Sequence, residues 1–227
     1  MARVKKIDNA IKKRIAQKQR RQERAFNTRN VRKKYLIVCE GERTEPNYFT
    51  SLKKKLPKGV VEIDIEGTGA NTLSLVDIAI RLKKEQAEKA KRSTIHRPYD
   101  HVWVVFDKDD FPDVNFDNAI FRARSSKIKV AYTNEAFELW YLLHFQFHNT
   151  GISRHQYYPL LTGYIDREYA KNSEDMYELL AEIGNEKNAI KWANALLKNS
   201  NLQNPASSNP STTVHRLIEE LNKYKPE

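Results

Sequence analysis

Tyr35-Leu36-Ile37-Val38-Cys39, followed at once by Glu40-Gly41-Glu42, is the stretch on which the fold turns. Five consecutive apolar residues have the length of a central strand buried on both faces, the pattern of a parallel sheet. The polar stop opens a new element. Thr44-Glu45-Pro46 offers a cap, an acid for the first turn and a proline where its missing N–H is harmless. Tyr48, Phe49 and Leu52 give this helix an apolar side, and Pro57–Gly59 ends it.

Working outward, HVWVVF (101–106) is a second strongly apolar strand, and it runs into Asp107-Lys108-Asp109-Asp110. Between the two, VEIDIEG (61–67) alternates apolar and acidic residues, which predicts a half-exposed strand near the sheet edge. Asn71 or Thr72 can cap a helix from about Leu73 to Lys91, and another spans roughly Phe116–Ser125. The short strand KVAYT (129–133) follows, then a helix beginning near Asn134 that carries EAFELWYLLHF. The order βαβαβαβα predicts an α/β fold: a parallel sheet of about four strands flanked by helices, joined by right-handed crossovers. From about His155 the pattern is helical, with DMYELLAEI, NAIKWANALL and a last helix over about 213–224. The expected organisation is a tail over 1–34, a core over 35–150 and a helical C-terminal region over 151–227 packed on that core.

Charge sets the tail apart. The net charge is +11, and residues 1–34 hold 14 Lys or Arg against Asp8 and Glu23. The other 193 residues carry 26 basic and 27 acidic side chains, so the folded body is nearly neutral. Ile7, Ile11 and Ile15 allow a basic helix on a charge-neutralising surface; alone, the tail lacks the apolar area to offset its ordering entropy. It is either a solvated arm or a phosphate-binding one. In the second case Arg20, Arg21, Arg24, Lys33 and Lys34 are the contacts to nucleic acid, joined by Arg43 beside the first strand end.

Other classes fall away. No run approaches the ~20 apolar residues that span a bilayer, so no membrane partner is expected. The basic start lacks an apolar h-region and is not a secretory signal. Cys39 is the single cysteine, so no intramolecular disulfide forms and a reducing cytoplasm is the expected location. No Gly-rich nucleotide loop or Walker lysine is present, so ATP hydrolysis would need a partner. His144 and His148 have i, i+4 spacing but no HExxH context, and ordinary helix-end histidines are expected.

The chemistry concentrates in the strand-end acids. In an open parallel sheet, ligands bind beyond the C-terminal ends of the strands. Glu40 ends the first strand, and Asp107 with Asp109 ends the other apolar one. An Asp-x-Asp there can place hard oxygen ligands on a Mg²⁺ ion, or Mn²⁺, with Glu40 within reach of the ion or of the scissile group. The plainer reading is that such acids cap turns. Glu138 is either a further ligand or a first-turn acid complementing the helix dipole. Glu45 and Glu135 fit the helix-start role, Lys108 meets a phosphate or tempers its neighbours, and Ser211 and Thr212 cap the last helix.

An apolar strand with Glu40-Gly41, followed by an apolar strand with Asp107-x-Asp109, resembles the Toprim domain of primases, topoisomerases and OLD-family nucleases. VCEGERTEPNYF (38–49), VWVVFDKDDF (102–111), NEAFELWYLLHF (134–145) and NPSTTVHRLIEEL (209–221) together resemble the RloB-like family over roughly residues 30–225. The resemblance implies a Toprim-like, Rossmann-like core in which Glu40 is the general acid/base and Asp107 and Asp109 hold magnesium. It also implies a role in bacterial abortive-infection defence against phage, beside an AAA-type ATPase of the RloA kind. One departure is Asp110-Phe111, where many Toprim proteins have a small residue, and this bears on the shape of the site.

The expected function is therefore a metal-dependent nuclease acting on DNA or RNA, transfer RNA included. A non-catalytic nucleic-acid sensor of the same system, or a hydrolase of a small nucleotide, is the alternative. The tail separates a polymeric substrate from a small one. Deleting residues 1–34 weakens nucleic-acid binding and flattens its salt dependence, by roughly 0.9 in log–log slope for each duplex phosphate that the tail neutralises. Unchanged turnover after the deletion identifies a small substrate.

Overall fold

Lys33–Cys39 forms β1, whose residues from Tyr35 onward are fully buried because the strand lies inside the sheet. The computed structural model describes residues 32–225. The chain continues through α1 (Thr44–Lys54), β2 (Val61–Gly67), α2 (Thr72–Arg92), β3 (His101–Asp107), α3 (Asp113–Ser125) and β4 (Lys129–Asn134). It goes on through α4 (Glu138–Leu142), α5 (Arg154–Ile165), α6 (Met176–Ile183) and α7 (Glu186–Lys198), then a 3₁₀ turn (Pro205–Ser207), β5 (Ser211–Thr212) and α8 (Val214–Asn222).

The sheet order is β2-β1-β3-β4-β5, the first four strands parallel. This is a doubly wound, Rossmann-like arrangement. The chain leaves β1 toward β2 on one side and returns to β3 on the other, so the topological switch point lies between the ends of β1 and β3. VEIDIEG is indeed the edge strand, with only Ile63 fully buried.

Alternation within the strands sends side chains into two cores. Leu36, Val38, Val104 and Phe106 pack under α2 and α3. Tyr35, Ile37, Trp103 and Val105 join α1 and the helices from α4 to α8. The C-terminal region thus shares a core with β1 and β3; Val214, Leu217, Ile218 and Leu221 of α8 are each 0% exposed.

Three sequence expectations shift. β1 begins at Lys33, so Lys33 and Lys34 belong to the sheet, and a tail deletion that spares it ends at Val31. The helix expected from Asn134 starts only at Glu138, because Asn134 is the last residue of β4 and its buried amide donates to the Ala206 carbonyl at 2.8 Å. A fifth strand, β5, pairs antiparallel with β4 at Thr133 and Asn134. Two polar residues carry no periodic signal. The segment is held by the hydroxyls of Thr212 and of Thr213 just after it, with Thr133 and Thr212 Oγ1 atoms 3.1 Å apart and Thr213 Oγ1 accepting the Tyr132 N–H at 2.8 Å.

Because α8 belongs to the main core, Ile218→Ala should lower the stability of the whole domain by about 2–5 kcal/mol. Denaturant unfolding followed by circular dichroism should show one transition at a lower midpoint. A separate early transition would instead mark the C-terminal helices as an independent unit.

Candidate carboxylate site at the switch point

The ladder between β1 and β3 ends with the Glu40 N–H donating to the Val105 carbonyl at 2.9 Å. Just beyond, Glu40 bridges the strands with its side chain. Its Oε2 accepts the Asp107 N–H at 3.1 Å and its Oε1 accepts the Thr72 hydroxyl at 3.0 Å. Thr72 is the first residue of α2, which Asn71 caps by accepting the Ser74 N–H.

Asp107 is held from the other side, with Oδ2 accepting the Phe137 N–H at 3.0 Å, while its buried Oδ1 has no hydrogen-bond partner. Asp109 adopts a left-handed φ of 43°, a conformation in which Asp is enriched among non-glycine residues. Its N–H donates to the Glu135 carbonyl at 3.1 Å, and its carboxylate forms a 2.6 Å ion pair with Arg154 at the start of α5. Glu138 is buried and accepts the Tyr169 hydroxyl at 2.9 Å.

Glu40, Asp107, Asp109, Glu138 and Arg154 line a cavity of about 630 Å³. Glu45 lines it too, although it sits in the first turn of α1 where sequence reasoning assigned it a helix-start role. It is 5% exposed, and a Cβ on Gly41 would overlap its carboxylate. The only trace of this in the sequence is Gly41, since glycine permits the close approach of that carboxylate. Lys171 and Asn172 complete the far rim, on a loop fastened to α1 by Thr44 Oγ1 donating to the Lys171 carbonyl and Asn47 Nδ2 donating to that of Asn172. Arg154, Lys171 and Tyr169 were not legible as site residues, because their approach depends on how the C-terminal region packs.

The other candidates, Arg43 apart, fall elsewhere. Arg43 lines the cavity and is exposed. Lys33 pairs with Asp100, and Lys34 with Glu62 and Asp64, at the opposite end of β1 from Glu40. Arg20, Arg21 and Arg24 lie outside the described residues. Lys108 Nζ donates to the Phe111 carbonyl at 2.6 Å and pairs with Asp113 at 3.0 Å, fastening the turn after β3. His144 is buried, its Nδ1–H donating to the Trp140 carbonyl. Ser211 and Thr212 lie in β5.

Crowding acids in a buried place favours their neutral forms. Burial pushes the Glu40 carboxyl up to about 7, against the two hydrogen bonds that oppose it. Asp107 is raised well above the usual carboxylate range by burial and by the charges of Glu45, Glu138 and Glu40. Glu45 is raised by burial and by Glu138. Among the described residues no three acidic, histidine or cysteine side chains stand close enough to form a metal-binding group.

The fold and the strand-end acids define the class, a doubly wound α/β protein with a carboxylate site at its switch point. A family model described as RloB-like protein matches residues 35–221, and the chain belongs to the RloB-like family. No curated protein and no solved structure matches it. Among the described residues no helix is long and apolar enough to cross a membrane.

Glu40 binds its proton more tightly folded, near pH 7, than at the ordinary 4.5, so stability is lost as pH rises through that window. Glu40→Gln can keep both contacts, its amide accepting the Asp107 N–H and donating to Thr72. In metal-free buffer the variant should melt above the wild type at pH 8. The gain should shrink to nothing by pH 4, with a ceiling on the order of 3 kcal/mol. Equal melting temperatures across that range would mean that Glu40 carries no such burden.

Proposed function

We propose that this protein is a metal-dependent nuclease, working with an AAA-type ATPase of the RloA kind in bacterial defence against phage. The observation that carries the chemistry is the convergence of Glu40, Asp107, Asp109 and Glu138 on one cavity at the switch point, with Arg43, Arg154 and Lys171 around it. Membership of the RloB-like family supports the defence role.

The donor set fits magnesium or manganese. All its members are hard carboxylate oxygens, and Asp107 Oδ1 is buried without a partner. Magnesium binds through one or two carboxylates and keeps several waters, which suits acids that share a cavity without three of the described side chains standing close enough to ligate one ion. Asp107 and Asp109 would hold it, with Glu40 beside them. When bound, the ion would offset phosphoryl charge and ease deprotonation of a water. Glu40, with a proton affinity near neutrality, suits taking up or releasing a proton at its Oε atoms. Arg154 and Lys171 would attract the phosphate of the substrate, and Phe111 and Phe137 would limit water at the rim.

A cavity of about 630 Å³ also has room for a single nucleotide. Hydrolysis of a small nucleotide is therefore the second reading.

The test is cleavage of mixed DNA and total RNA in Mg²⁺ or Mn²⁺, with and without the neighbouring ATPase, beside an Asp107→Ala/Asp109→Ala control. Cutting that the double variant abolishes, and that Glu40→Gln slows by roughly 10²–10⁴-fold, is the expected result. If folded, ATPase-bound protein cuts neither polymer, the nuclease reading falls. Phage protection that survives the double substitution at unchanged protein level would favour a sensor.

A further inference from the structure

A second cavity, of about 540 Å³, opens beside the first residues of β4. Trp103 and Lys129, register partners on β3 and β4, line it. So do Arg124 and Lys127 at the end of α3, and Arg216 and Glu220 of α8. Trp103 lies four residues before Asp107 on the same strand, about 13 Å away at the rise of a parallel strand, so this cavity is distinct from the carboxylate site.

Its lining is one-sided. Four cations face a single acid, and that acid is already engaged, since Glu220 pairs with Lys129 and lies 3.3 Å from His101 Nδ1. Arg124, Lys127 and Arg216 are exposed, and no ion pair of theirs occurs among the described residues. Trp103 is 3% exposed, yet its buried indole N–H has no acceptor. The Lys129 ammonium lies 5.3 Å from the centre of its ring. Nearby, Lys83 is held below its usual value by burial and by the charge of Lys127, a second sign of unbalanced positive charge.

A cavity in which four cations and an unmet indole N–H stand against one engaged carboxylate selects an anion rich in oxygen. Guanidinium groups match phosphate in a planar, two-pronged geometry, and the volume accommodates a ligand of nucleotide size. We propose that this cavity binds the phosphates of a nucleotide unit, contributed by a nucleic-acid strand or by a free nucleotide. Arg124 and Arg216 grip the phosphate, and Trp103 and Lys127 close around it. The site shares its ligand class with the proposed nuclease but does not depend on cleavage.

Binding is therefore measured on the full chain in the Asp107→Ala/Asp109→Ala background, where a failure of the catalytic reading leaves this measurement intact. The probes are a single-stranded oligonucleotide, by fluorescence anisotropy over a salt series, and a nucleoside triphosphate, by calorimetry. Adding Arg124→Gln/Arg216→Gln should weaken at least one probe by tenfold or more, with the circular dichroism spectrum unchanged. Loss for the oligonucleotide alone, with a log–log salt slope shallower by about 0.7, assigns the cavity to a strand. Loss for the triphosphate as well assigns it to a nucleotide subsite. Unchanged affinity for both probes overturns the proposal.

Discussion

Where two parallel strands part at a switch point, the backbone groups just past the last rung of the ladder lose their partners, and something must meet them. Here the side chain of Glu40 does so, accepting the amide of Asp107 and the hydroxyl of Thr72. One carboxylate thereby ties β1, β3 and the start of α2 together. The same act fixes the position of Asp107, because the amide that Glu40 takes belongs to the residue whose side chain points on toward Phe137. The scaffold and the candidate chemistry are thus the same set of bonds.

That arrangement is electrostatically unfavourable on its own. Burial raises the proton affinity of Glu40, Glu45 and Asp107, and the charges of neighbouring acids add to the effect. Dipoles and neighbours offset part of it: the Phe137 amide on Asp107, the Tyr169 hydroxyl on Glu138, and Arg154 on Asp109. The remainder is a standing attraction for positive charge, the condition under which a carboxylate cluster recruits a cation or the proton of a reacting group.

The sheet was legible because buried parallel strands leave uninterrupted apolar runs, and YLIVC and HVWVVF are such runs. Their terminal acids were legible for the same reason, since a carboxylate that stops a buried strand must lie at its end. Glu45 was harder, because an acid in a first helical turn satisfies the dipole in any protein, and only the glycine at 41 distinguishes this one. Arg154, Tyr169 and Lys171 left no trace in the pattern. Arg154 arrives with the packing of α5, and Lys171 sits on a loop held to α1 through backbone carbonyls, contacts that any residue type can supply. β5 escaped for a similar reason, as two threonine-type hydroxyl contacts replace the apolar alternation that marks a strand.

The fastening of the 171–174 loop to α1 also bears on how the molecule is made. Thr44, Asn47 and Ser51 each donate to a carbonyl more than 120 residues further along the chain. A ribosome-bound chain can pair β1 with β3 long before that loop exists, so the acids assemble early and their far wall arrives late. Closing contacts across such separations carries an entropy cost that grows with the logarithm of the chain gathered, and non-local contacts slow folding. During synthesis the strand-end carboxylates therefore pass through an interval without Lys171 and Asn172 at their rim, and the finished cavity belongs only to the completed chain.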